Sequence, residues 1–157
     1  MRRKKLEVTE LSEIEEIIRR CEVCRLGFTD GEIPYIVPMN FGYTLEEGEL
    51  CLYFHCAKEG RKLDLLTKNP NVCFEMDNPQ GFLPGDIPSH ASYAYECIMG
   101  EGMVQILTDI EEKQKALDRL MSQYMGEGSY DYTDSCLREV TVLKVTSQSF
   151  TAKHCNQ

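Results

Sequence analysis

Apolar and polar positions alternate in short blocks along most of this chain, and three times the period lengthens to that of a helix. Leu11, Ile14, Ile17, Ile18 and Cys21 follow helical spacing, with Thr9 as the candidate cap. "CRLGFTD" reads as a short strand that ends in a turn at Asp30-Gly31. "IPYIVPMNFGY" restarts as a strand, so the two form a hairpin. Pro38 cannot donate to a ladder, which makes this second run an edge, bulged or locally interrupted strand. After the turn at "LEEGE", "LCLYFHC" is a third strand, with Leu50, Leu52 and Phe54 on one face and Cys51, Tyr53 and His55 on the other.

A helix is expected from about Lys58 to Asn69, with Leu63 and Leu66 facing inward and Pro70 stopping it. "NVCFEMD" is a fourth strand, and "NPQGFLPGDIPSHAS", with its prolines and glycines, is expected to be a long surface loop. "YAYECIMGEGMVQIL" is a long strand bent near Gly100 and Gly102. In "TDIEEKQKALDRLMSQYM", Thr108 and Glu111 have capping-box spacing, and Ile110, Leu117, Leu120, Met121 and Tyr124 form an apolar stripe. "GEGSYDYTDS" reads as loop, and "LREVTVLKVTSQSFTAK" as the closing strand. The strand connections are mostly too short for parallel crossovers. The pattern therefore predicts an α+β, mainly β protein: an antiparallel barrel with helices packed outside it. No repeat or linker divides the chain, so one domain over residues 1–157 is expected.

Composition narrows the class. A chain of 157 residues with 42% apolar positions can bury a core. Its net charge of -9 argues against a general nucleic-acid binder. No apolar run approaches the roughly 20 residues that span a bilayer. The N-terminal cations give way to acidic residues rather than to an apolar segment, so a cytoplasmic location is expected. Of the eight cysteines, Cys21 and Cys24 form a lone C-x-x-C, without the second pair of a zinc ribbon. The pair also follows a helix, whereas thioredoxin-like chemistry needs it at a helix start after a strand. Small, buried, reduced thiols are the expected role. His90 and His154 lack the close ligand spacing of a zinc site, and no metal is expected.

The densest chemistry lies in "CLYFHCAKEGRKLDLL". A helix start presents unpaired N–H groups and partial positive charge, which suits an anion. Gly60 would let a ligand approach closely, Arg61 could clamp two phosphate oxygens and Lys62 would add a point charge. Without the P-loop pattern, spacing leaves two readings open: a phosphate pocket, or a solvated cationic first turn. His55 likewise reads either as a strand histidine bonded to a carbonyl or as a functional group.

"IPYIVPMNFGY", "LYFHCAKEGRKLDLLTKNPNVCFEMD" and "YECIMGEGMVQI" with the "EEKQKAL" helix after it together resemble the FMN-binding split-barrel superfamily. Within it they are most similar to the pyridoxamine 5'-phosphate oxidase-related proteins of the nitroimidazole-reductase type. The resemblance runs from about Leu11 to Lys153, and Tyr53 to Asn71 is its most specific part. It implies a six-stranded split β-barrel of Greek-key type with flanking helices, and a homodimer with FMN at the interface. Val37, Pro38, Met39 and Asn40 would run beside the isoalloxazine ring, their backbone meeting its polar edge. His55 and Cys56 match positions on the ribityl and phosphate side, and Arg61 and Lys62 match the cations that hold the phosphate. The histidine matching His55 is linked to catalysis near the flavin. Cys97 falls where many relatives carry a serine close to the cofactor, and Lys153 matches a lysine common at the end of the last strand. The chain has no Trp and lacks the C-terminal arginine- and tryptophan-containing segments of true pyridoxamine phosphate oxidases, which argues against that activity.

Three functions compete at this point. The first is an FMN-dependent oxidoreductase acting on a small organic acceptor, such as a nitroimidazole or nitro-aromatic compound, with His55 as proton donor. The second is a non-catalytic module that holds flavin, haem or a deazaflavin for sensing or storage. The third is a thiol protein that uses Cys21 and Cys24.

Overall fold

A computed structural model describes residues 4–156. Residues 1–3 and 157, which the expected domain bounds include, lie outside it. A one-turn 3-10 helix, Lys4–Leu6, leads into β1 (Glu7–Val8) and α1 (Leu11–Arg20). Then follow β2 (Cys24–Phe28), β3 (Tyr35–Met39), β4 (Gly42–Glu46) and β5 (Glu49–Cys56). After α2 (Arg61–Leu66) come β6 (Asn71–Leu83) and β7 (Ser92–Leu107), with α3 (Ile110–Met125), α4 (Asp134–Glu139) and β8 (Thr141–Cys155) completing the order.

All strands join one antiparallel sheet in the order β3-β2-β6-β7-β8-β5-β4, with β1 beside the end of β8. The mainly β, antiparallel architecture with flanking helices is as expected. The strand count is not: the sheet has eight strands rather than six, and it does not close, ending at β3 and β4. "IPYIVPMNFGY" divides at Asn40-Phe41 into those two end strands. There Tyr124 of α3 accepts from the Phe41 backbone N–H at 3.1 Å and donates to the Glu22 carbonyl at 2.8 Å, which holds the corner. Pro38 sits on an edge strand, in register with Arg25, the kind of strand in which a sheet tolerates proline.

Alternation places Leu26, Phe28, Leu52, Phe54, Phe74 and Ile98 inside the curved sheet, and Ile14, Ile17 and Ile18 of α1 plug it. A smaller cluster of Leu107, Ala116, Leu117, Leu137 and Val142 lies under α3 and α4. Gly42 permits the approach of α3: a Cβ there would stand 2.3 Å from the Leu120 backbone nitrogen.

Several local expectations are corrected. Glu10, not Thr9, flanks the first turn of α1, and its side chain makes no capping bond. α2 begins at Arg61 rather than Lys58, because Gly60 has φ 140°, which no helix allows. It ends at Leu66, with hydrogen-bonded turns continuing to Asn69. β6 runs on through the first six residues of the expected loop, to Leu83. The irregularity at Pro79/Gly81 is absorbed as a bulge instead of ending the strand. Asp109, not Thr108, caps α3, accepting from the Glu112 N–H at 2.9 Å. Thr133 caps α4, which occupies residues read as loop and closing strand. Among the described residues no helix is long and apolar enough to cross a membrane.

Candidate functional site

The anticipated residues fall into three places. The first is the corner where β5 gives way to α2. Gly60 adopts φ +140°, a conformation that side chains disfavour, and nothing lies within 4 Å of where a Cβ would stand. Arg61 follows with its guanidinium over the Tyr35 ring, 4.5 Å from the centroid. Its Nε donates to Asp30 Oδ2 at 2.7 Å, and its Nη2 donates to the same oxygen. Tyr35 opens β3, so this contact joins the start of α2 to the start of the edge strand. Lys62 stands half-buried beside Cys56. Burial pushes the Cys56 thiol above its ordinary value, and the Lys62 ammonium partly opposes that.

The second place is β3 and the exposed face of the sheet beside it. Val37 packs against the core, Pro38 faces outward, Met39 is buried and Asn40 is exposed. Among the described residues β3 pairs with β2 alone, so its other edge presents backbone groups that the sheet leaves unpaired. Beside Pro38, Arg25 Nη1 donates to Asp77 at 2.6 Å and to Glu75 at 3.0 Å. Burial raises the Glu75 carboxyl above its ordinary value; Arg25 opposes the shift and Asp77 adds to it. Cys97 lies on this face between Asp77 and Lys153, its cross-strand neighbours. Burial pushes the Cys97 thiol up, while Lys153 draws it down. Pro38 and Cys97 are three strand spacings apart across the sheet and two residues apart along it, roughly 16 Å.

The third place holds His55 alone. It is exposed on the face of β5 opposite Cys56, as strand alternation requires. A ligand touched by one of these side chains would meet the other only around the strand edge. Among the described residues His55 has no side-chain hydrogen bond.

Cys21 and Cys24 are buried thiols, not joined to each other. Burial pushes Cys21 up to about 12 and Cys24 higher still. Nucleophilic thiol chemistry needs thiolate, so neither is prepared for it near neutrality. Among the described residues no cluster of His, Cys, Asp or Glu is arranged to hold a metal.

Sequence reasoning missed Asp30, Tyr35 and Tyr124. Asp30 was visible only as a turn residue, and its contact with Arg61 spans 31 positions. Tyr124 was read into an apolar stripe, although its hydroxyl carries its role. The corner can hold an anion: two cations, a glycine open to close approach and an exposed carboxylate pair that a phosphate can replace. A phosphate-bearing cofactor such as FMN fits that donor set.

Residues 10–154 match the family described as pyridoxamine 5'-phosphate oxidase. Among solved structures, a candidate 5-nitroimidazole antibiotic resistance protein from Bacteroides thetaiotaomicron is 36% identical, with TM-score 0.79 over 94% of this chain and 86% of that one. The flavocytochrome Anf3 from Azotobacter vinelandii shares the fold at 15% identity, with TM-score 0.82 over 100% of this chain and 72% of that one. An FAD and heme binding protein from Mycobacterium smegmatis does so at 13% identity, with TM-score 0.81 over 96% and 74%. No curated protein matches the chain.

Proposed function

The chain belongs to the pyridoxamine 5'-phosphate oxidase family, and from that premise we propose that it is an FMN-dependent oxidoreductase that reduces a small organic acceptor of the nitroimidazole or nitro-aromatic class. The observation that carries this reading is the corner of Gly60, Arg61 and Lys62 joined through Tyr35 to an edge strand. A terminal phosphate needs charge-assisted donors, which Arg61 and Lys62 supply. Gly60 lets the phosphate approach the chain closely. The unpaired edge of β3, at Val37, Pro38, Met39 and Asn40, offers hydrogen bonds to the polar edge of a ring. Bound FMN supplies the electron transfer itself.

His55 is the proton donor of this reading, because its side chain is solvent-accessible and an imidazole can give or take a proton. Cys97, on the sheet face, is the remaining cofactor contact of this reading. The active form is a homodimer with FMN between the copies, and the acceptor is a small molecule. Similarity to the Bacteroides protein, at 36% identity, supports the nitroimidazole class.

The test begins with the purified protein titrated with FMN and with riboflavin. Arg61→Ala with Lys62→Ala should weaken FMN about 100-fold, as expected for two charge-assisted contacts, and leave riboflavin unchanged. Equal weakening of both ligands would remove the phosphate role. The reduced protein, mixed anaerobically with a 5-nitroimidazole, should reoxidise, and His55→Ala should slow that step more than it weakens FMN. A Soret band after purification would replace FMN by haem.

A further inference from the structure

We propose, resting on the flavin reading above, that Tyr124 of α3 is a positioning residue for the ring end of the cofactor site. Its hydroxyl holds β2 and β3 apart where their ladder ends, and so sets where the β3 edge meets a ring.

β2 and β3 pair from Phe28 with Tyr35 to Cys24 with Met39. Continued by two residues, the same register would bring Glu22 opposite Phe41. Residues two apart on an antiparallel ladder repeat the same bonding pattern. At this rung a side chain from another element takes the place of a direct bond. The Phe41 N–H donates to Tyr124 Oη at 3.1 Å, and Tyr124 Oη donates to the Glu22 carbonyl at 2.8 Å. One hydroxyl therefore stands between a backbone donor and a backbone acceptor of neighbouring strands. A corner that needed only to satisfy these two groups would let them bond to each other.

Both sides of this wedge are fixed. Phe41 is fully buried. Gly42, next along, admits the α3 backbone so closely that a Cβ would stand 2.5 Å from the Arg119 carbonyl oxygen. Gln123, beside Tyr124, donates from Nε2 to the carbonyls of Ile18 and Cys21 at 3.1 and 3.0 Å. The last turn of α3 thus holds both chain segments, and Tyr124 sets the gap between them. Val37, Pro38, Met39 and Asn40 are the proposed ring contacts. Asn40 is the one that the wedge keeps out of the ladder, and its Nδ2 donates to the same Glu22 carbonyl at 3.5 Å. The phosphate corner lies at the opposite end of β3, at Tyr35. Donors aligned on the ring edge favour the electron-rich reduced flavin, so disturbing them lowers its potential.

Tyr124→Phe removes the hydroxyl and keeps the aromatic side chain. FMN and riboflavin should both bind about tenfold more weakly, with the ratio between them unchanged because the phosphate end is intact. The midpoint potential of the bound flavin should fall by about 14 mV, which is about a threefold loss of preference for the reduced ring in a two-electron couple. Gln123→Ala removes neighbouring bonds of the same turn. It should lower the melting temperature and leave both affinities and the potential at the parent's values. Should Tyr124→Phe fail to fold, 3-fluorotyrosine in place of Tyr124 keeps the wedge but makes its hydroxyl a weaker acceptor, and the potential should fall there too. The proposal is overturned if the folded Tyr124→Phe protein keeps the parent's riboflavin affinity and potential, if it weakens FMN alone, or if Gln123→Ala shifts the potential as far. An unchanged potential in the fluorotyrosine protein overturns it where Tyr124→Phe does not fold. A parent that binds neither flavin overturns the proposed function itself, which the other outcomes leave standing.

Discussion

Two arginine–carboxylate pairs in this molecule use the same chemistry for opposite ends. Arg20 of α1 donates from Nε and Nη2 to Glu96 of β7 at 2.9 and 2.8 Å, and Asn78 of β6 adds a bond at 3.0 Å. Glu96 is 2% exposed. His154 of β8 stands 3.9 Å from it and 3.8 Å from Glu13 of α1. Three elements, α1, β6 and β8, converge on this one buried carboxylate of β7. Arg61 and Asp30 also form a two-donor contact, but their side chains are 59% and 29% exposed, on a short helix and a turn. A charge kept from water needs its partners at all times. A charge left in water can exchange one partner for another at a cost of about 1 kcal/mol or less. The first pair is therefore a strut, and the second is, on the proposed function, the seat of a phosphate.

The largest effect should come from breaking the strut. Glu96→Ala leaves the Asn78 amide buried and unpaired and releases α1 from the sheet. It should cost about 3 kcal/mol, or roughly 6–12 °C in melting temperature for a chain of this size. Arg20 can turn to solvent, which keeps the figure below that of a fully buried pair. A loss under about 1 kcal/mol in denaturant titration would place Glu96 in the same class as Asp30 and dissolve the distinction.

Acid should separate the two pairs next. Burial alone would raise Glu96, but the Arg20 fork and the Asn78 amide outweigh it and hold the carboxyl below its ordinary value. A lowered folded-state pKa gives stability that is complete above the unfolded value, about 4.3. That stability is lost as pH falls through the folded value. The advantage of the parent over Glu96→Gln should thus be constant from neutrality down to about pH 5 and shrink below about pH 4. A difference that does not change in urea titrations across this range would mean that Glu96 is not ionised in the fold.

Neither pair was legible in the chain. Alternation revealed β2 and β5, because each has one face in the core and the other outside it. It failed at β6, where prolines and glycines suited to a loop instead form a bulge that keeps the hairpin paired. It failed at α4 because six residues are too few for a period. The candidate corner was half visible. Gly60, Arg61 and Lys62 are contiguous, so their chemistry shows locally. Asp30 and Tyr35 reach them only after β2 and β3 have paired and brought the turn over α2. Arg20 and Glu96 lie 76 positions apart. Local patterns carry elements and contiguous motifs, while charge pairing across the sheet belongs to the tertiary fold.

The smallest effect tests the seat most directly. Asp30→Asn removes the carboxylate charge and keeps an oxygen that can accept from Arg61. Stability should change by less than about 0.5 kcal/mol, since an exposed pair contributes little. The effect on FMN has two opposing parts. Asp30 aligns the guanidinium, which favours binding; it also occupies the donors that a phosphate would use and repels the phosphate charge. Alignment survives in the Asn variant, through the remaining acceptor and through Tyr35 beneath the guanidinium. Repulsion does not survive, and relief of about 1 kcal/mol between like charges in a water-like dielectric corresponds to FMN binding about fivefold tighter. Riboflavin should be unaffected, and the gain should fade as salt rises. Weaker FMN binding in Asp30→Asn, with Arg61→Ala weaker still, would show that Asp30 holds Arg61 in place as Arg20 is held by Glu96, and the corner would then be a second strut on which the phosphate rests.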